Sequence, residues 1–451
     1  MSRPVVLCVN LPADKLRRVR FVCMRLSLLV QEVKKEDMHQ PLGALCGLMP
    51  RLPEKMAADL DGEMLIMANL NRGQAERLLS ALKQAKVHLP LKAVLTPVNA
   101  GWDCVKLHAE LTAERDAIQG GQKADHTNEE GTNALLTRTV YPGEHALQHA
   151  IDQLPGDGTP ALLQLMPGEY REKIELKRPN TILEGEDAAS TVIVWADGAT
   201  DPMPDGLNRG TFRSYTMLVD ADHVTLRRLT VRNAAAPRDK VGQAVALYAD
   251  GDYFLCEDCI LRSFQDTLFT APLPPKEIQK NGFLGPKQFA PRKPQRHTYR
   301  RCRIEGDVDF IFGGAAAWFE DCDIISVDGW SKDEPHEGGC ATAASTPEGQ
   351  KYGYVFHHCR FQGEGVKDES IYLGRPWREW AKTVLIDCEI GAHIRPEGWH
   401  DWDKPLFHEV GYYAEHGCTG KGSEGVRADF VRAMSDDEAA AVTYEDFLAS
   451  L

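Results

Sequence analysis

No run of apolar residues in this 451-residue chain is long enough to span a bilayer, so no membrane-spanning helix is expected. Basic residues are outnumbered, 52 Lys and Arg against 66 Asp and Glu, and a formal charge of −14 argues against a nucleic-acid surface. A polyanionic substrate stays open, because charge at a cleft can differ from the total. The G-x-S-x-G elbow of serine esterases is absent. HEGGC and HEVGY both fail the zinc pattern H-E-x-x-H. Cys256-x-x-Cys259 is the one C-x-x-C, and it lacks a second ligand pair at zinc spacing. No metal or cofactor is therefore expected. The start lacks the marks of a secretory signal: Val5–Val9 is apolar but short and early, and basic residues follow it. A cytoplasmic location is expected, with secretion in its place if the true start differs. There the twelve scattered cysteines would be buried thiols.

What is present is the composition of a globular chain, 43% hydrophobic and 26% charged, with length for two domains. Residues 1–118 read as a small α/β domain. Strand-like runs at Pro4–Asn10, Glu63–Leu70 and Leu91–Leu95 accompany helical stretches at Arg72–Ala85, capped by Asn71, and at Trp102–Ile118; Pro97 stops the third strand. His88 and His108 stand alone and suggest no site. Residues 119–136, rich in Gly, Asn and charge, read as a polar linker.

Over 137–451 the runs become short and turn-bounded (ALLQLM, TILEG, STVIVW, VTLRRLTV), which predicts an all-β domain after one capping helix near Glu144–Leu154. A weak repeat runs through it: YFLCEDCILRS, TYRRCRIEG, WFEDCDIIS, VFHHCRFQG and VLIDCEIGA, carrying Cys259, Cys302, Cys322, Cys359 and Cys388. Cys, Ile and Phe at alternating positions share one strand face. Similar strands repeated in this way suit a parallel β-helix, in which coils stack and interior side chains form ladders.

The repeat also serves as a ruler. Gln243 and Gln265 are 22 residues apart, about one coil. Asp266 and Asp309 are 43 apart, but 17 once the Pro- and Lys-rich loop Ala271–Arg296, of 26 residues, is set aside. Gln243, Gln265-Asp266 and Asp309 then fall on three consecutive rungs about 4.8 Å apart. Asp309 lies in the apolar run of GDVDFIFG, where a charge is costly without a partner. Taken alone, such an aspartate more often caps a turn. Two close carboxylates push their pKa values apart, so one can attack a carbonyl while the other donates and then accepts a proton. Two glutamine amides can donate to the oxyanion. Arg375, in YLGRPW, is the available cation for the nucleophile; alone it reads as a surface ion pair.

GDVDFIFGGAAAWFEDC, GQAVALYADGDYFLCEDCILRSFQDTLF and YLGRPW together resemble the pectin methylesterases, right-handed parallel β-helix carbohydrate esterases, from about Val140 to Phe447. The resemblance takes in PGEYREKIELKRPNTILEGE, TFRSYTMLV and IRPEGWHDW. It implies hydrolysis of methyl esters on galacturonate units of pectin or its oligosaccharides. By motif, Asp309 is the implied nucleophile, Asp266 the acid and then base, Gln243 and Gln265 the oxyanion donors, and Arg375 the holder of Asp309. Trp377 and Trp399 are implied sugar platforms, and Phe212 and Phe310 are expected to line the site. Two departures stand out. The 271–296 loop is longer than in the plant enzymes and is expected to overhang the groove, and the usual Thr-Ala-Gln reads Thr342-Ala343-Ala344. Around residues 60–118 the chain resembles a small bacterial domain of no assigned function, and a bacterial source is expected. A lyase or polygalacturonase on the same architecture would need calcium-binding acids or acids spaced for the glycosidic bond. A carbohydrate-binding β-helix without activity would be expected to lack Asp266, Asp309 or Arg375, and another uronate ester remains an alternative substrate.

Overall fold

The computed structural model describes residues 4–451 except 27, 47–50, 52–56, 58–59, 61, 69, 71, 86, 88, 96–101, 120–134 and 331–337. The Asn71 cap, His88, Pro97 and nearly all of the polar linker lie outside the described residues. The chain divides into two compact units, Met1–Leu136 and Thr137–Leu451.

The first unit is built on a four-stranded sheet in the order Leu29–Val33, Val5–Val9, Met64–Ala68, Leu91–Val94. Its central pair is antiparallel and its outer pairs are parallel. The two central strands are buried throughout because both faces are covered. Val6, Cys8, Leu65 and Met67 pack with Leu16, Val19, Val22 and Cys23 of the helix Ala13–Arg25 and with Leu78 and Leu82 of Arg72–Gln84. Leu7, Val9 and Ile66 pack with Cys104 and Leu107 of Cys104–Gln119. The sequence reading missed the helix Ala13–Arg25 and the strand Leu29–Val33. Arg17, Arg18, Arg20 and Arg25 are interleaved with the helix's apolar stripe and mask its period.

The second unit is a right-handed parallel β-helix. Its coils pass in turn over sheets of eleven, eight and seven strands, each strand pairing in parallel with the coils before and after. Residues at like places form interior ladders. Val231, Leu261, Ile304, Ile324, Phe361 and Ile390 are in register and buried. Tyr299, Phe319 and Phe356 stack ring on ring at 4.7 and 4.4 Å. The five repeat cysteines occupy one inner corner. Each follows a residue in the left-handed conformation, namely Asp258, Arg301, Asp321, His358 and Asp387, with φ from 50° to 54°. The thiols of Cys302, Cys322, Cys359 and Cys388 donate to carbonyls of the coil before at 3.3–3.4 Å. A small, weakly polar side chain suits a corner that must turn sharply and still satisfy a carbonyl. All are free thiols. The helix near 144–154 forms at Ala146–Asp152, and its first N–H groups bind the fully buried carboxylate of Glu172 at 2.9 Å.

Candidate active site

Asp266 and Asp309 each stand two residues ahead of a strand in the seven-stranded sheet, Leu268–Thr270 and Ile311–Gly313. Those strands are adjacent and pair Leu268 with Ile311, so the two aspartates occupy equivalent places on successive coils. Both backbones are left-handed, with φ of 65° and 50°, a conformation aspartate tolerates better than most residues. Main-chain bonds hold them there: Asp266 N–H donates to Val308 O at 3.1 Å and Asp309 N–H to Cys340 O at 2.7 Å. The glycines that bracket GDVDFIFG are spatial requirements. A Cβ on Gly306 would lie 2.1 Å from Cβ of Phe310, and one on Gly313 would lie 2.0 Å from Thr270 O.

Both carboxylates are nearly buried, Asp309 at 7% and Asp266 at 8% exposure, but their surroundings differ. Arg375 grips Asp309 with a two-pronged bond, Nε to Oδ1 at 2.8 Å and Nη2 to Oδ2 at 2.7 Å. Burial pushes the Asp309 carboxyl up from its ordinary value, and the Arg375 bond, with Lys404 behind it, opposes that push. No cation bonds Asp266 among the described residues. Burial raises its pKa well above the usual range and the Asp309 charge raises it further. The pair is thus separated as acid and base chemistry requires: Asp309 is the member fitted to be ionised, Asp266 the member fitted to hold a proton.

Arg375 follows the strand Tyr372–Gly374, which pairs with Cys340–Ala344, which in turn pairs with Ile311–Gly313. Arg375 and Asp309 thus stand two coil spacings apart, roughly 10 Å, a gap their two side chains close together. The ring of Trp402 lies 3.8 Å from the Arg375 Cζ and leaves the guanidinium edge free for the fork. Gln243 and Gln265 are half-buried on neighbouring rungs, with Ala244 N–H donating to Gln265 O at 3.0 Å. Neither side-chain amide is bonded to another side chain or carbonyl among the described residues. Both amides, both carboxylates and Arg375 line one cleft of about 460 Å³.

Trp377 also lines this cleft, half-buried, with Phe212 stacked against it at 6.4 Å and Phe312 edge-on at 5.7 Å. Two expected lining residues do not reach it. Phe310 is fully buried, turned into the coil against Gly306: it follows the left-handed Asp309 and precedes the strand Ile311–Gly313, so it stands outside the strand's alternation, and Phe312 lines the cleft in its place. Trp399 is 2% exposed and sits behind Gly374. Its ring packs on Tyr413 at 4.3 Å and its Nε1–H donates to Glu415 at 2.7 Å. It is a prop under the Arg375 turn and not a sugar platform. The cleft tryptophan of IRPEGWHDW is Trp402, which the sequence reading passed over although it ends the same motif. Lys404 was missed with it. Asp307, in GDVDFIFG, is buried and paired with Arg238 at 2.9 Å, outside the cleft lining. Ala343 lines the cleft and Ala344 is fully buried, so this rung offers no polar side chain. From the 271–296 loop, Ile278, Gln279, Gly282 and Phe283 form part of the wall.

Comparison with known proteins agrees with this geometry. The pectinesterase family profile matches residues 142–273 and 291–450, and a domain of unknown function (DUF3783) matches 63–118. Pectinesterase QRT1 of Arabidopsis thaliana is 31% identical over 300 residues, 65% of this chain and 70% of that one. Probable pectinesterase/pectinesterase inhibitor 64 from the same plant is 32% identical over 295 residues, 61% of this chain; the chain spans 44% of that longer relative. These plant sequences do not support a bacterial source. Among solved structures, pectin methylesterase PemA from Erwinia chrysanthemi superposes with a TM-score of 0.56 at 27% identity, covering 71% of this chain and 97% of that one. The enzyme from carrot does so with a TM-score of 0.56 at 26% identity, covering 71% and 94%. The family match extends over more than half of the residues and over every coil that contributes to the cleft, and on it the chain belongs to the pectinesterase family.

Proposed function

We propose that this chain hydrolyses methyl esters of galacturonate units in pectin or pectic oligosaccharides, through an acyl intermediate on Asp309. The observation that carries the reading is the Arg375 fork on one buried aspartate beside a second that no cation bonds among the described residues. An ionised Asp309 oxygen attacks the ester carbonyl carbon. The amides of Gln243 and Gln265 donate to the oxyanion as it forms. The tetrahedral centre collapses with loss of methoxide, and Asp266 gives up its proton so that methanol leaves. Asp266, now a carboxylate, takes a proton from water as that water attacks the acyl carbon. Collapse returns Asp309 as a carboxylate and frees the galacturonic acid, which loses its remaining proton to solvent, leaving Asp266 protonated for the next turn. Burial raises the reactivity of Asp309 by stripping water from it, and the fork keeps it ionised despite that burial. Trp377 lines the cleft with apolar ring surface suited to the C–H faces of pyranose sugars, and Trp402 backs Arg375 in the same wall.

The test is methanol release from methylated oligogalacturonides of graded length. Asp309→Ala is expected to abolish release while the variant keeps the wild-type far-UV spectrum and melting temperature to within a few degrees. Near-normal turnover by that folded variant would rule the mechanism out.

A further inference from the structure

Residues 274–290 are left unmatched by the family profile, yet they do not form a loose excursion. Arg292 donates to four carbonyls of this segment, those of Pro274, Lys287, Gln288 and Ala290, at 2.6–3.2 Å. Lys287 pairs with Asp220 and Asp250 of two successive coils. Arg378, next to the cleft tryptophan Trp377, donates to Lys276 O at 3.0 Å. Phe283 is 5% exposed and sets its ring edge-on to Phe212 at 5.9 Å and Trp377 at 6.1 Å. Gly285 approaches so closely that a Cβ there would lie 2.7 Å from Phe212 O. The insertion is thus riveted to the body at both ends and in its middle.

Two large apolar residues of this segment are exposed, Phe289 and Ile278, and of the two Ile278 is the one in the cleft wall. Ile278 is 74% exposed and belongs to the lining of the cleft that holds Asp309 and Asp266. Gln279 beside it is also exposed, lines the same cleft, and its side-chain amide has no partner among the described residues. A large apolar side chain and a free amide, held over a cleft by a fixed segment, make the pair of contacts a sugar ring accepts: a C–H face for the isoleucine and hydroxyls for the amide. We infer that the insertion 274–290 is a specificity element that binds a sugar unit beyond the one being de-esterified, through Ile278 and Gln279. The inference rests on the functional reading above and adds the length of chain the site takes. Binding energy gained away from the reacting ester raises kcat/KM for long substrates relative to short ones.

The experiment compares kcat/KM for methyl-esterified galacturonate dimer and hexamer in the full chain and in an Ile278→Ser/Gln279→Ala double variant. Both positions are exposed, so folding is expected to survive, and the melting temperature checks it. The hexamer-to-dimer ratio is expected to fall by about fivefold, the worth of one modest contact, and mostly through KM. An unchanged ratio, whether both values stand or both fall together, overturns the inference. Wild-type activity on the dimer separately tests the functional reading. Should the wild type turn over neither substrate, that reading fails, and calorimetric binding of the hexamer to wild type and double variant decides the inference: equal affinity, or no binding, overturns it.

Discussion

Replacing Arg375 with alanine removes both prongs of the grip on Asp309, bonds of 2.8 and 2.7 Å to a carboxylate only 7% exposed. Stripping one partner from a buried ion pair costs about 3–5 kcal/mol, because the remaining charge has neither water nor a counter-ion. The folded protein need not bear that cost in stability, since Asp309 can take up a proton and become neutral. The cost then reappears in catalysis, where the carboxylate has to be ionised to attack. Expressed as a rate, 3–5 kcal/mol corresponds to roughly 10²- to 10⁴-fold in kcat. Burial already raises the Asp309 carboxyl and Arg375 opposes it, so loss of the arginine moves that pKa up again. The active form is the deprotonated one. The acid limb of the pH–rate profile is therefore expected to shift to higher pH, and activity to recover in part as pH rises. The assay is methanol release across a pH series, with the melting temperature as a check on folding. Arg375→Lys, which keeps the charge but not the planar fork, is expected to fall between wild type and Arg375→Ala. A folded Arg375→Ala enzyme whose kcat stays within tenfold of wild type, with an unmoved acid limb, would refute the role given to the fork.

Asp266→Asn is expected to lower turnover by about 10²–10⁴-fold while reducing the pH sensitivity of stability. The folded pKa of Asp266 is raised above its unfolded value near 3.9, so its contribution to stability is complete below that pH and is lost as pH rises. Asparagine has no such dependence, and melting curves at pH 4–8 should converge on or cross the wild-type values toward the alkaline end. A variant that lost stability relative to wild type as pH rose would contradict the assignment. The two tryptophans separate in the same measurements. Trp399→Ala is expected to cost about 3–5 kcal/mol of stability, whereas Trp402→Ala should leave the melting temperature nearly unchanged and lower kcat/KM by a factor set by about 0.5–2 kcal/mol. The reverse pattern would restore Trp399 as the cleft residue.

Much of the architecture was legible because a β-helix writes its period into the sequence. The corner cysteines recur with Ile, Leu or Phe two residues on, and the structure places them at one corner above one ladder. The same period gave the relation between Asp266 and Asp309, since both precede strands of one sheet by two residues and the long loop between them begins and ends at strand boundaries. In the first unit the strands buried on both faces could be read as continuous apolar runs. Its helix Ala13–Arg25 could not, because only one residue in three or four of it meets the core and arginines fill the intervals.

What stayed out of reach lies where the chain leaves the period. Trp399 and Trp402 are three residues apart in a turn, and no repeat says which ring faces the cleft. The turn decides it: Gly398, Trp402 and Asp403 all take positive φ, and Gly374 and Trp399 form a backbone bridge that carries the first ring behind the sheet while the second emerges over Arg375. Aromatic character alone could not separate them, because burying a tryptophan in a core and offering it to a sugar demand the same apolar ring. The polar handle tells them apart. Trp399 spends its N–H on Glu415, itself held by Arg427 at 2.9 and 3.1 Å, a network that exists only if the ring is buried. Trp402 has both Arg375 and Lys404 over its ring, at 3.8 and 4.2 Å, two cations that gain from an electron-rich face at the edge of the cleft. The cation that grips Asp309 thus packs against the residue the motif concealed, and a site described by its carboxylates alone would leave out what opposes the burial of one of them.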